Sequence, residues 1–299
     1  MYLLKILQVS LILLPAISFG QLRIPRDTLL KVYDHQTILL LSNGVMQDGQ
    51  MQKRSLFSNP LKRAVRADLT AHATFKKANL QLFGGALLTG LSIPPLTLGL
   101  INLQGSRSMS QNEATAWTLG SAIAFGLGLK MMTKAADGFQ ESVWQYNRNS
   151  ILNGLNAYKD STNQAQITRS YERNAIRRTS FGFYQNGRYE MGDIFGFDDP
   201  LKNRLRPNSA AYSLYRRGSL YRKVGNVLAC ASIANSIYSF ARFQNPNHFN
   251  RTTVEDELTR FFVSNVLLWG STLFTVRGED EIQRAVWFYN RDVFANGVF

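Results

Sequence analysis

The chain has 299 residues, with 34 Lys and Arg against 20 Asp and Glu, for a formal net charge of +14. That length is enough for one or two domains with real cores, and the single cysteine, Cys230, rules out an internal disulfide framework. So basic a balance asks for an anionic partner, and nucleic acid is the first class it suggests.

The first twenty residues read as a secretory signal peptide. Lys5 precedes the apolar stretch Ile6 to Ile17, and Ser18-Phe19-Gly20 puts small residues at both cleavage-determining positions, so cleavage is expected before Gln21. The rival is an uncleaved anchor, but the apolar run is short of the ~20 residues a span needs. Export turns the charge argument away from nucleic acid. Anionic lipid headgroups, another envelope protein or acidic envelope polymers become the expected partners, with a merely solvated helix face as the plain alternative.

From Tyr33 onward the chain contains itself twice. Tyr33, Ile38, Ser42, Gly44, Gln47 and Gly49 return at the same spacing as Tyr171, Ile176, Ser180, Gly182, Gln185 and Gly187. Pro60-Leu61-Lys62 and Arg66 return as Pro200-Leu201-Lys202 and Arg206; Phe75-Lys76-Lys77 returns as Tyr215-Arg216-Arg217. Val143-Trp144-Gln145-Tyr146-Asn147-Arg148 closes the first copy, and Val286-Trp287-Phe288-Tyr289-Asn290-Arg291 the second. A period of roughly 140 residues is too long for a solenoid and fits a duplicated domain.

Each copy is expected to open on a β-hairpin, turning at Asp48-Gly49 and at Asn186-Gly187. Pro60 and Pro200 suit the first turn of a helix. A basic helix follows, Ala71 to Leu80 and Ala211 to Tyr221, and then an apolar helical hairpin. Its arms are Leu82 to Leu103, broken by Pro94-Pro95, with Ala114 to Met132, and Val224 to Phe243 with Phe261 to Val276. A terminal helix carries the Trp-x-Tyr-Asn-Arg signature. The expected fold is therefore mainly α with small β-hairpins, in two tandem homologous modules at 21–158 and 165–299 joined by a short polar linker at Ser161 to Ala165.

Ala114 to Met132 has the length and composition of a spanning helix, and Gly120, Gly126 and Gly128 allow close helix contact. In the second copy Asn226, Asn235 and Arg242 interrupt the arm Val224 to Phe243, and Phe261 to Val276 is only 16 residues. The basic clusters lie at the hairpin bases rather than at the tips, the reverse of the positive-inside pattern. Two outcomes follow: hairpins that enter a membrane from outside, or hairpins that pack into soluble bundles. Membrane association is the expected one.

Catalytic constellations are not found. His35, His72 and His248 lack metal-ligand spacing, and no nucleophile elbow, phosphate loop or CxxC occurs, so no cofactor or metal is expected. Cys230 aligns with Gly90 in an apolar stretch and reads as a small buried residue. Asp198 and Asp199 could share a proton or bind a cation, but a helix cap before Pro200 is the simpler role.

Two sets of site residues remain. Trp144, Tyr146, Asn147 and Arg148, with Trp287, Tyr289, Asn290 and Arg291, form a candidate ligand or headgroup site, because Arg can grip an oxyanion beside stacking aromatics. In the structural alternative the rings pack, Asn caps the helix and Arg meets its last carbonyls. Lys62, Arg66, Lys76, Lys77, Lys202, Arg206, Arg216 and Arg217 form the candidate basic patch. Ser42, Gln47, Ser180 and Gln185 could touch a ligand or serve the hairpins.

The order of signal peptide, strand-like start, glycine-punctuated apolar hairpin and Val-Trp-x-Tyr-Asn resembles small exported envelope proteins of unknown function from Bacteroidota-type bacteria. The resemblance covers 33–150 and 171–293 and implies an envelope location. The functional expectation is a non-enzymatic, membrane-associated structural or interaction protein of the cell envelope. The alternative is a soluble periplasmic binder, or an enzyme, acting on an acidic envelope glycan.

Overall fold

The structure is a computed structural model that describes residues 24–55, 59–103, 109–156, 161–192, 199–243 and 251–296. The expected signal peptide, Asp198 and His248 lie outside the described residues. What is described is mainly helical, with two small antiparallel sheets.

The first half opens on a helix, not on a strand. In α1 (Arg26–Gln36), Pro25 precedes the first turn and Leu29 and Tyr33, four residues apart, are buried. Three short strands then form a meander: β1 (Ile38–Leu41), β2 (Gly44–Gln47) and β3 (Gln50–Lys53). The turn between β2 and β3 has positive φ at both Asp48 (52°) and Gly49 (71°), which is what a two-residue primed turn requires. Gly44 is needed for another reason: a Cβ there would lie 2.1 Å from the Gln52 carbonyl oxygen. The expected hairpin is thus the second and third strands of a three-stranded sheet.

Helix α2 (Pro60–Val65) is capped by Asn59, whose side chain accepts from the Lys62 N–H. The next expected pieces are fused. The basic helix and the first apolar arm are one 35-residue helix, α3 (Leu69–Leu103), which runs on through Pro94 and Pro95. The second arm and the signature helix are one 45-residue helix, α4 (Gln111–Leu155), begun by a capping box of Ser110 and Glu113. The proline pair removes two ladder bonds but does not end α3, because α4 packs along it.

The second half follows the same order. Helix α5 (Ser161–Asn174) occupies the place of the expected linker, and its Ile167 and Tyr171 are buried. Strands β4 (Arg177–Thr179), β5 (Gly182–Gln185) and β6 (Arg188–Met191) turn at Asn186-Gly187, again with positive φ at both residues. Asp199 caps α6 (Pro200–Leu205) through the Leu201 N–H, as its position before Pro200 suggests. Two long antiparallel partners complete it, α7 (Ser209–Phe243) and α8 (Arg251–Asn296). Cys230, expected to be buried, is exposed on α7, because the face toward α8 is taken by Ser232 two positions on.

Each half has its own small core beneath its sheet. A third core joins them: Leu29 and Tyr33 of α1, Ile151 and Leu155 of α4, Ile167 and Tyr171 of α5, and Phe294 of α8. The terminal helices of both halves are therefore held in one head, from which the α3–α4 and α7–α8 pairs extend.

Candidate functional site

Asn147 and Asn290 lie within long helices and are buried at 7% and 6% exposure. Asn147 Oδ1 accepts from the Ile38 N–H at 2.7 Å while its Nδ2 donates to the Ile38 carbonyl at 2.8 Å. Asn290 does the same to Ile176, at 2.7 and 2.8 Å. Both amide ends are consumed in holding the backbone where each sheet begins, at Ile38 in β1 and at Ile176 just before β4, so neither headgroup contact nor helix capping is their role.

The signature arginines reach across to the other half. Arg291 donates from Nε and a terminal nitrogen to the two oxygens of Asp34 on α1, at 2.6 and 2.7 Å. Arg148 makes the matching ion pair with Glu172 on α5. The hydrogen bonds to Asp34 hold the Arg291 guanidinium above its ordinary pKa, partial burial opposing them. Both arginines, expected at a polar surface, are engaged by carboxylates instead.

The tryptophans follow the same exchange. Trp144 stacks on Tyr171 of α5 with centroids 5.4 Å apart and planes 10° from parallel. Trp287 packs on Tyr33 of α1 at 5.3 Å, and its indole N–H donates to Thr37 Oγ1 at 3.1 Å. Burial pushes both Tyr33 and Tyr171 well above the ordinary phenol value. Tyr289 and Tyr146 stay within their own halves, accepting from Gln185 at 3.1 Å and Gln47 at 3.4 Å.

Two loop ties complete the pattern. Ser42 donates its N–H and O–H to Asp280 of α8, at 2.7 and 2.6 Å, and the Ser180 N–H donates to Asp137 of α4 at 2.6 Å. Each half thus lends its α1 or α5 helix and its first β-turn to the terminal helix of the other. Beside the exchanged pairs lie two open clefts of about 490 and 510 Å³, one with Trp287 and Arg291 near the Asp48-Gly49 turn, the other with Trp144 and Arg148 near Asn186-Gly187.

All eight residues of the expected basic patch are exposed: Lys62, Arg66, Lys76, Lys77, Lys202, Arg206, Arg216 and Arg217. They sit on α2, the start of α3, α6 and the start of α7, around the bases of the helix pairs. None makes an ion pair with another described residue. Among the described residues no three His, Cys, Asp or Glu side chains come together as metal ligands. His35 faces Asp48 at 2.7 Å, and Asp199 accepts the Tyr215 hydroxyl at 3.0 Å besides capping α6.

Residue spacing does not reveal Asp34, Glu172, Asp137 or Asp280, although an acid follows Tyr33 and Tyr171 alike. That repeat in the sequence is the signal for the ion pairs. No protein-family model, curated protein or solved structure matches the chain.

Proposed function

We propose that this chain is a membrane-embedded protein of the cell envelope with a structural or interaction role, built from two homologous modules whose helix pairs face lipid. One observation carries the reading: the polarity of the helix pairs is inverted. Along α3–α4 and α7–α8 the large apolar side chains point outward, with Leu91 and Trp269 both 70% exposed. The residues turned inward are small or polar, with Ser92 at 4% and Ser264 at 6%. In water that arrangement exposes far more apolar surface than a soluble protein tolerates. In lipid it is the expected one, since small residues let helices approach and polar groups bond across the pair.

Details of the pairs agree. A Cβ on Gly85 of α3 would lie 2.7 Å from the Gly128 carbonyl oxygen, so the backbones touch there. Asn235 of α7 donates to the Arg260 carbonyl and to Ser264 Oγ of α8, and Ser232 donates to the Ser264 carbonyl. Leu69–Gly99 is long and apolar enough to cross a membrane, and only 17% of its most apolar stretch is buried, unlike the core helix of a soluble protein. The exposed Lys and Arg at the bases then stand at the level of anionic headgroups.

Duplication is supported by the paired ties: Asn147 and Asn290, Arg148 and Arg291, Asp137 and Asp280 do the same work at equivalent positions. The test of the membrane reading is an alkaline carbonate wash. The protein should stay with the membrane pellet. Release into the supernatant would overturn the reading and favour a soluble binder of acidic glycan.

A further inference from the structure

The two halves differ in charge where the first strand of each meets the long terminal helix of the other. Counting from the repeat, the apolar trio Leu40, Leu82 and Ala136 of the first half corresponds to Arg178, Arg222 and Glu279 of the second. Glu279 sits between the two arginines, 3.0 Å from Arg178 Nη1 and 3.3 Å from Arg222 Nε. The Arg178 side chain is only 8% exposed. Its Nη1 is within ion-pair reach of Glu279 but out of line for a hydrogen bond, so this buried donor lacks an acceptor. The buried hydroxyl of Thr179, next in the chain, lacks a partner too. Buried donors left unmet are costly, and a protein keeps few of them.

Both residues line a cavity of about 490 Å³ between the halves. Its walls include Leu40, Leu61, Phe75, Phe139 and Val276, and the exposed Arg54 stands at its rim. Arg54 has no side-chain partner among the described residues. The acids in the wall are already taken, Glu279 by its two arginines and Asp280 by the N–H and O–H of Ser42. What the cavity offers a ligand is the donors of Arg178, Thr179 and Arg54, the neutral amides of Gln140 and Gln283, and apolar wall, within the usual range of ligand-pocket size.

We propose that the seam cavity binds an oxyanion headgroup carried on an apolar chain, a carboxylate or a phosphate monoester. Arg178, Arg54 and the Thr179 hydroxyl hold the anion, and the chain lies against Leu40, Phe75 and Phe139. The site rests on the membrane reading only for the source of its ligand, which a bilayer would supply.

The test is calorimetric titration of the full chain in a neutral maltoside detergent, where binding does not depend on membrane location. The probes are oleate, lysophosphatidate, uncharged mono-oleoylglycerol and inorganic phosphate. One or both charged amphiphiles should bind at least about tenfold tighter than the neutral one, and inorganic phosphate should not bind measurably. The tighter of the two identifies the headgroup. The R178L/R222L/E279A variant, which installs the first half's own residues, should lose about tenfold in affinity while keeping its melting temperature. If it does not fold, R54Q, a change at the exposed rim, decides by the same loss. Equal binding of charged and neutral amphiphiles, no binding of any probe, or a folded variant that binds like the parent would each overturn the proposal. The carbonate wash fails or succeeds independently of all of these.

Discussion

Arg291 grips Asp34 through two parallel hydrogen bonds across 257 residues of sequence, joining the last helix of the chain to the first described one. With Arg148 and Glu172 as its counterpart, this makes the head an exchange of helices between the halves rather than two units side by side. Bidentate geometry is specific to the planar guanidinium, so lysine cannot reproduce it. Arg291→Ala should destabilise the head by about 1–2 kcal/mol, the upper range being discounted because both side chains are partly exposed. Arg291→Lys should recover less than half of that. Thermal melts in detergent with a double-mutant cycle against Asp34→Ala measure the coupling; additive single mutants would mean the pair contributes nothing.

The two buried asparagines make a stronger demand. Asn147→Ala leaves the Ile38 N–H and C=O without partners at a buried strand, which should cost about 2–4 kcal/mol, and Asn290→Ala should match it. Asn147→Asp keeps the acceptor but turns a donor into a second acceptor facing the Ile38 carbonyl, so it should fare no better. Denaturant unfolding of the three variants ranks them. An alanine variant within 0.5 kcal/mol of the parent, roughly the scatter of an ordinary surface change, would count against this role.

What was legible in the sequence was local. The turns at Asp48-Gly49 and Asn186-Gly187 and the cap at Asp199 act within a few residues of themselves, and spacing alone finds them. Composition alone divides α3 and α4 into four pieces, because it changes sharply from basic to apolar near Leu80 while nothing there stops the helix. Helix α1 carries no clear period in the sequence, because only Leu29 and Tyr33 of its 11 residues are buried. The roles of Asn147 and Arg148 were not legible, since each depends on a partner that only the fold brings near. A motif that recurs says its residues matter; it does not say what they touch.

Another pair of positions matched by the sequence repeat exchanges its chemistry. In the first half Asn149 donates to Asp68 at 2.6 Å; in the second, Asn208 donates to Asp292 at 2.6 Å, so acid and amide have traded places. Partial burial pushes the Asp68 carboxyl up, but hydrogen bonds from Thr70, Ala71 and Asn149 outweigh it and hold it below its ordinary value. A depressed folded pKa means that stability is present above the unfolded value near 4 and is lost as pH falls through the lower folded value. Asp68→Asn should therefore flatten acid unfolding below about pH 4. Asn149→Asp should set two carboxylates face to face and cost about 1 kcal/mol at pH 7, relieved by acid. Adding Asp68→Asn to it recreates the second half's pairing and should restore stability at pH 7; a double variant as weak as Asn149→Asp alone would refute the equivalence.

Cys230 reports directly on the surroundings of the helix pairs. It is exposed on α7, flanked along that helix by Val227 and Ile233, which are 68% and 57% exposed. A water-soluble maleimide does not enter the hydrocarbon layer and reaches only thiols in contact with water. In a protein whose helix pairs lie in lipid, Cys230 should therefore resist a water-soluble maleimide in intact membranes, although no protein atoms shield it. Unfolding the protein in denaturant should restore full labelling, which separates protection from a chemically blocked thiol. Ser236→Cys and Ser209→Cys, each made in a Cys230→Ser background, extend the test along the same helix. Ser209, at the start of α7 in the head, is exposed and lies among the basic residues, so a cysteine there should label rapidly. Ser236, deep among the outward apolar side chains, should behave like Cys230. A gradient from fast at 209 to protected at 230 and 236 is the outcome the membrane reading requires. Equal, rapid labelling at all three positions would show the outward leucines and isoleucines to be in water, and the inverted polarity would then need another cover.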